Sequence, residues 1–391
     1  MKLAVIIVNY NVKHYLEMCI YSLQKALERV DAQIFIVDNC SVDDSVAYLT
    51  SLFPDVHFIN NTENIGFARA NNKAINETES DYILLLNPDT MVSEETVYET
   101  LSFMEEHPQA GALGVKMLNT DGSIAKESRR GVPSPITAFY KMCGLCERFP
   151  ANRKFAHYYM SYLSWDEPAK IEIVSGAFCM LRRKALKETG LLDEAYFMYG
   201  EDIDLSYRIL KNKWEVWYYP SAILHYKGES TQKTSYRYVH TFYQAMLIFF
   251  KKHYSHLNFF FSTIVHLAIY LKAFLALVNN QISKLYNITR ITNVNSDVIY
   301  LFVIDPRNKS MCNKIIQQNS LNASFMSSFE EFNYNNLMSN KLYYIIFDLR
   351  LFACKQIFQI MSYSPHSNIK MGFFKANAHL IITENNVFKD E

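Results

Sequence analysis

An excess of charge of either sign is missing from this chain. Its 391 residues carry 39 Lys and Arg against 39 Asp and Glu, a formal net charge of zero. A general nucleic-acid binder is usually basic overall, so no nucleic-acid partner is expected. A disulfide framework is missing too. Seven cysteines, an odd number, are scattered through a large chain, which predicts a reducing compartment. Cys143-Gly144-Leu145-Cys146 is a lone C-x-x-C; a zinc site wants a second ligand pair, and none stands out. The N-terminus lacks a secretory core. Only Leu3 to Val8 is apolar before Asn9-Tyr10-Asn11 ends the run, so no signal peptide is expected. Half of the residues are apolar, which excludes a disordered chain, and the length predicts two or three domains.

Acidic residues are also absent between Ser230 and Ser296. The same interval holds Lys233, Arg237, Lys251, Lys252, Lys272, Lys284 and Arg290, with apolar runs at Ala245–Phe250 and Leu257–Val278. The second run has about the length of a membrane span, ~20 residues, but His266 and Lys272 interrupt it. An interfacial helix or hairpin fits it as well as a single span does. Basic residues beside apolar helices favour the anionic cytoplasmic leaflet, so peripheral or monotopic association with the cytoplasmic face of the plasma membrane is expected. A buried helical bundle with basic decoration is the plainer reading.

Residues 1–118 alternate short apolar runs with amphipathic stretches. Leu3–Val8, Gln33–Val37, Val56–Ile59 and Tyr82–Leu86 read as strands, and His14–Glu28 and Gly66–Ile75 as helical segments. Such alternation predicts an α/β fold with a Rossmann-like, mostly parallel sheet and right-handed crossovers. Ligands in these sheets sit outside the carboxyl ends of the strands, where Asn9, Asp38 and Asp89 fall. Residues 119–170 are less regular. Arg129 and Arg130 open a basic, Pro-rich loop, and the aromatic stretch from Phe149 to Trp165 has no clear period. Ile171–Leu181 reads as a strand region, Leu205–Ile209 as helix, and Val216–Tyr219 as a strand stopped by Pro220. Residues 297–391 read as a separate small α/β tail with no legible chemistry. The expected domains are 1–235, catalytic; 236–292, basic, apolar and helical; and 293–391, a small α/β unit of unknown role.

Two acidic clusters stand at the ends of apolar runs. Tyr82 to Leu86 leads into Asn87-Pro88-Asp89, and Tyr199-Gly200 leads into Glu201-Asp202-Ile203-Asp204. A carboxylate just past a strand can hold a hard divalent cation against a phosphate. A second cluster can supply a general base to an incoming hydroxyl. Together they point to group transfer from a phosphate-bearing donor.

Val5-Ile6-Ile7-Val8-Asn9-Tyr10-Asn11, Val37-Asp38-Asn39-Cys40-Ser41-Val42-Asp43, Asn64-Ile65-Gly66-Phe67-Ala68-Arg69-Ala70-Asn71-Asn72 and Leu86-Asn87-Pro88-Asp89 occur in that order. Ser175-Gly176-Ala177, the Glu201-Asp202 cluster and His225-Tyr226-Lys227-Gly228-Glu229-Ser230 follow. This ordered set resembles the family 2 glycosyltransferases with the GT-A fold, most of all their rhamnosyltransferase-like branch, over roughly residues 1–235. The resemblance implies an inverting enzyme that uses a nucleotide-sugar donor, with dTDP-rhamnose one candidate. It implies a saccharide acceptor, lipid-linked at the membrane, in bacterial surface polysaccharide assembly.

By the same resemblance Asn9, Tyr10 and Asp38 serve the nucleoside, and Gly66, Arg69 and Asn71 lie on the donor side. Asn87-Pro88-Asp89 stands at the family's Asp-x-Asp motif with Asn for the first acid. That leaves Asp89 as the direct ligand of Mg²⁺ or Mn²⁺, with Asn87 assisting through its amide oxygen or holding the ribose. His225 matches a position that touches the metal in some relatives. Glu201-Asp202 matches the acid pair beside the acceptor, with Asp202 the candidate base and Glu201 orienting the loop or capping the helix. Ser175 and Gly176 line the acceptor side. Each residue also has a structural reading: strand-end capping for Asn9 and Asp38, helix packing for Arg69, a structural imidazole for His225, and helix capping for the acids. Two other classes fit the same features. A nucleotidyltransferase would attack at phosphorus and release pyrophosphate, and a non-catalytic membrane scaffold would need no acid pair.

Overall fold

A computed structural model describes residues 1–226, 236–254, 298–328 and 341–390. The basic apolar run Leu257–Val278 lies outside the described residues. Among the described ones no helix is long and apolar enough to cross a membrane.

The first half builds one mixed sheet. Leu3–Asn9 (β1), Ala32–Asp38 (β2), His57–Asn60 (β3) and Tyr82–Leu86 (β4) are joined by helices Lys13–Ala26 (α1), Ser45–Leu52 (α2) and Phe67–Asn76 (α3). Every residue of β1 and β4 is buried, as strands covered by helices on both faces must be. β3, β2, β1 and β4 lie side by side and parallel. Thr90–Val92 (β5), Thr96–Glu106 (α4) and Ala110–Leu118 (β6) follow. Next come two short helices, Pro135–Met142 (α5) and Leu145–Arg148 (α6), and then Ala169–Ile171 (β7), Phe178–Arg182 (β8), Arg183–Thr189 (α7), Glu201–Lys211 (α8) and Glu215–His225 (β9).

The sheet departs from the mostly parallel expectation beyond β4. β8 pairs antiparallel with both β4 and β6, β6 runs parallel to β9, and β5 and β7 add antiparallel to β9. The reason is local. The Ser175-Gly176-Ala177 turn starts β8 at the carboxyl end of β4, with the Asn87 amide bonded to the Ala177 carbonyl at 3.1 Å, so β8 must run back along β4. Nor does Pro220 stop β9. The register against β6 jumps from Val115↔Tyr219 to Lys116↔Ala222, so Pro220 and Ser221 sit in a bulge where a missing N–H costs no ladder bond. That bulge lets β9 continue to His225.

The tail builds a second α/β sheet of its own, and that sheet packs against the first. Val298–Val303 (β10), Ala323–Phe325 (β11), Leu342–Asp348 (β12) and Ile369–Lys375 (β13) form a parallel set, extended antiparallel by Leu380–Ile382 (β14) and Val387–Lys389 (β15). Tyr236–His253 (α9) precedes this unit, and Lys309–Gln318 (α10) and Cys354–Tyr363 (α11) belong to it. Val12, Tyr15, Met18, Met91, Leu224 and Tyr226 of the first sheet's layer share one buried core with Phe347, Ile357, Phe358, Met371 and Phe373. The Met371 amide bonds Thr120 O at 2.7 Å, and Glu94 accepts from the Cys354 amide at the start of α11 at 2.8 Å.

One buried ion pair ties the two units. Glu17 on α1 is fully buried, and its carboxylate meets Lys375 Nζ and the Tyr48 hydroxyl, each at 2.9 Å, with His14 Nδ1 3.7 Å away. Burial alone would raise the Glu17 carboxyl; His14, Lys375 and Tyr48 outweigh it and bring it down to about 2. A carboxyl depressed on folding contributes stability that is fully present above its unfolded value of ~4.3 and is lost as pH falls through its folded value. Lys375→Met therefore lowers the unfolding free energy at pH 7 by about 3 kcal/mol, because it strands a buried charge. Urea unfolding should show that gap narrowing between pH ~4.3 and pH ~2; a gap that does not change with pH would refute this assignment.

Candidate functional site

The site lies along the carboxyl ends of β1, β2 and β4. On the first side, Asn9 and Asp38 end neighbouring strands in register. Asn9 is buried, and its amide is committed: Nδ2 donates to Asp38 Oδ1 at 2.7 Å and to Ser41 Oγ at 3.1 Å. Asp38 Oδ2 accepts from the Ser41 amide at 2.8 Å. Asn9 is therefore the buttress of Asp38, and Tyr10, half-buried, follows it at the rim. Asn39 donates to the Gly66 carbonyl at 3.3 Å, which brings the α3 N-terminus to the same edge.

Gly66, at φ +86°, has a backbone that L side chains rarely adopt. What approaches it is protein: a Cβ there would stand 2.7 Å from Phe197 O, and the next amide, Phe67 N, bonds that carbonyl at 2.8 Å. Asn72 completes the clamp, donating to Leu192 O at 2.9 Å and accepting from Leu192 N at 3.1 Å. Asn71 is buried and donates to its own helix at Phe67 O, 2.9 Å away. Arg69 is exposed and pairs with Glu194 at 3.6 Å. Neither bonds another of the predicted site residues, and the Oδ1 of Asn71 is buried with no partner among the described residues; α3 also holds the loop that leads into α8.

The second group forms around the turn after β4. Because Thr90 of β5 pairs with His225 of β9, the end of β9 is laid against this turn. His225 Nε2 lies 3.2 Å from Asp89 Oδ1 and 3.3 Å from Asn87 Nδ2. Asp89 and His225 are both largely buried, and His225 Nδ1 is enclosed with no hydrogen-bond partner among the described residues. A carboxylate and an imidazole converging this closely fit a divalent cation that would complete its shell with phosphate oxygens, while Asn87 turns its Nδ2 donor, not its amide oxygen, toward them. Among the described residues no cluster of three or more His, Cys, Asp or Glu could hold a metal by itself.

The third group is the acid pair. Tyr199 (φ +69°) and Gly200 (φ +85°) are consecutive left-handed residues, and their turn launches α8. Asp202 Oδ2 accepts from Arg130 Nη2 at 2.6 Å and from the Gly176 amide at 3.1 Å, while Oδ1 accepts from the Ile203 amide at 2.8 Å. Glu201 is buried, and its Oε2 has no partner among the described residues. Burial, then the charge of Asp202, push its carboxyl well above the ordinary range. Asp204, fully buried, meets Arg208, Lys252 and His253 at 2.7, 2.9 and 2.6 Å. Burial opposes its charge, and those three cations and donors outweigh it and hold its carboxyl below the ordinary range. Asp204 thereby fixes α8 to α9.

Ser175-Gly176-Ala177 joins the second group to the third. The Ala177 carbonyl accepts from Asn87 N, and the Gly176 amide donates to Asp202. Asp89 and Asp202 therefore flank one short turn.

Residues 4–190 match the model of the family described as Glycosyl transferase family 2. This N-terminal part of the chain is a glycosyl transferase family 2 domain. This glycosyltransferase is 29% identical over 262 residues, 63% of its length and 83% of the relative's, to an N-acetylglucosaminyl-diphospho-decaprenol L-rhamnosyltransferase of Mycobacterium tuberculosis. Among solved structures it is similar to S. aureus TarS 1–349, with a TM-score of 0.42 and 19% identity over 63% of this chain and 66% of that one. It is also similar to the mannosyltransferase PcManGT of Pyrobaculum calidifontis, with a TM-score of 0.45 and 16% identity over 75% and 76%.

Reading motifs from the sequence missed Arg130. The residue is visible only as half of a basic pair in a Pro-rich loop, and its partner stands 72 positions away. Its neighbour Arg129 points elsewhere, stacked 3.6 Å over Trp165 and bonded to the Ser164 and Leu163 carbonyls. Ser41, which holds both Asn9 and Asp38, is visible in the sequence only as one member of the Val37–Asp43 motif.

Gly66→Ala in the glycosyltransferase should cost about 2 kcal/mol, since it forces a Cβ into a glycine-only conformation against a carbonyl. Thermal unfolding would show it as a lowered midpoint. An unchanged midpoint would mean that α3 does not clamp the Phe197 loop.

Proposed function

We propose that this enzyme transfers a sugar, with inversion, from a nucleotide-sugar to a hydroxyl of a lipid-linked saccharide at the cytoplasmic membrane face. The observation that supports this reading is the Ser175–Ala177 turn, which bonds Asn87, two residues before Asp89, on one side and Asp202 on the other.

Asp38, braced by Asn9 and Ser41, accepts from the base or the ribose, and Tyr10 forms the wall beside it. Asp89 and His225, with Asn87 beside them, would hold Mn²⁺ or Mg²⁺, and a cation bound there would supply positive charge to the leaving diphosphate. Asp202 takes the proton of the acceptor hydroxyl as that oxygen attacks the anomeric carbon from the face opposite the diphosphate. The carbon–oxygen bond to the donor phosphate breaks, and its electron pair leaves with the nucleotide. Arg130 and the Gly176 amide aim the Asp202 carboxylate, and lone pairs remain on both its oxygens for the substrate. Burial and the charge of Asp202 favour the neutral form of Glu201 beside it. Ser175 and Gly176 line the acceptor side. Positioning and electrostatics supply most of the barrier reduction.

The name of the M. tuberculosis relative describes rhamnosyl transfer to a polyprenyl-diphosphate-linked amino sugar. It supports a lipid-diphosphate acceptor here and makes dTDP-rhamnose the first donor to test. A nucleotidyltransferase would release pyrophosphate instead of a nucleoside diphosphate.

The test uses Asp202→Asn and Asp89→Asn side by side, with donor binding followed by calorimetry with and without Mn²⁺. Asp202→Asn should lose roughly 10²-fold or more in transfer rate and still bind donor. Asp89→Asn should lose the metal-dependent part of donor binding. Full activity in Asp202→Asn, or pyrophosphate as product, would defeat the reading.

A further inference from the structure

The helices α5 and α6 carry an apolar surface that the proposed reaction does not use. Ile136 is 56% exposed, Phe139 57% and Phe149 44%. They are not scattered. Ring contacts run from Phe139 to Tyr140, from Tyr140 to Phe155 and from Phe155 to Phe149, with centroids 6.2, 5.0 and 5.6 Å apart. Ile136 and Phe139 stand three residues apart on α5, hence on one helix face.

The charge around this surface is mainly positive. Residues 135–162 contain Lys141, Arg148, Arg153 and Lys154 against a single acid, Glu147. Arg148, Arg153 and Lys154 are exposed, and Lys141 Nζ lies 3.8 Å over the Tyr158 ring. Exposed aliphatic and aromatic side chains, tyrosines with a wet end and a basic rim are the composition of a surface that sits at a lipid–water boundary.

The position ties this surface to the acid pair. Only Gly131 to Ser134 separates Arg130, the partner of Asp202, from the first residue of α5. That link is rigid. The Gly131 amide bonds Tyr158 O at 3.1 Å, the Val132 amide bonds Glu172 Oε2 at 2.5 Å, and Ser134 caps α5 in a capping box with Thr137. Whatever α5 rests on is held at a fixed reach from Asp202.

We infer that α5 and α6 dock on an anionic phospholipid surface, with Ile136, Phe139 and Phe149 entering the headgroup–acyl boundary and Arg148, Arg153 and Lys154 facing lipid phosphates. The acid pair is thereby presented to an acceptor anchored in the same leaflet. This inference rests on the lipid-linked acceptor reading, but vesicle contact is measured without sugar transfer, so the two can fail separately.

The test uses the full chain and vesicles of phosphatidylcholine, with or without about one third phosphatidylglycerol, the anionic fraction supplying the surface charge. Phe139→Trp reports contact at α5 itself, and Tyr98→Trp, exposed on α4, is the control. With anionic vesicles carrying lipids brominated near the headgroup, the fluorescence at position 139 should shift to the blue and be quenched, and that at position 98 should not. The combined Ile136→Ser, Phe139→Ser and Phe149→Ser variant should partition onto the vesicles about tenfold more weakly or less still. Its circular dichroism and donor binding report whether it has folded. Vesicle binding without quenching at position 139 would mean that another segment, or a protein partner of α5, is responsible, and would overturn the inference. Absence of vesicle binding would overturn it as well.

Discussion

Two hydrogen bonds on one turn govern the arrangement of this molecule. The Ala177 carbonyl takes the Asn87 amide at the end of β4, and the Gly176 amide reaches the Asp202 carboxylate at the start of α8. The first bond sends β8 back antiparallel and turns a parallel sheet into a mixed one. The second sets the acid pair beside that sheet's carboxyl edge. Local geometry at Ser175–Ala177 thus decides both the topology and the distance across which donor and acceptor could meet.

A second turn, at the start of α8, is held by the elements around it. Tyr199 and Gly200 adopt left-handed backbone just before Glu201, a conformation that costs energy at a tyrosine and persists only where neighbours enforce it. The neighbours are identifiable. The clamp from α3 fixes the Phe197 loop through Phe67 and Asn72, and α9 fixes α8 through Lys252 and His253 on Asp204. The C-terminal unit bears on the other end of the same sheet edge, where Tyr15 and Tyr226 pack ring to ring at 5.1 Å and Tyr226 meets Phe373. The tail therefore supports the strand end that carries His225.

Much of the first half could be read from the sequence because its signals are local. Leu3–Val8 and Tyr82–Leu86 are continuous apolar runs, and they form fully buried strands. The acids at strand ends were visible for the same reason. What the sequence hid was non-local. Arg130 meets Asp202 across 72 positions, and no periodicity marks it. Pro220 signals a strand end, yet a bulge absorbs it. Asn71 and Arg69 sit in a motif and suggest a ligand, but the structure turns one into its helix and the other toward Glu194. The tail offers no motif at all, and only its apolar faces, matched to α1 and β9, reveal where it packs.

The most direct measurement is a crystal structure with Mn²⁺ and a non-hydrolysable nucleotide-sugar bound. The account predicts the metal on Asp89 and His225, the diphosphate against it, and the anomeric carbon between that diphosphate and a carboxylate oxygen of Asp202. A metal bound elsewhere, or a sugar whose anomeric carbon faces away from Asp202, would contradict it.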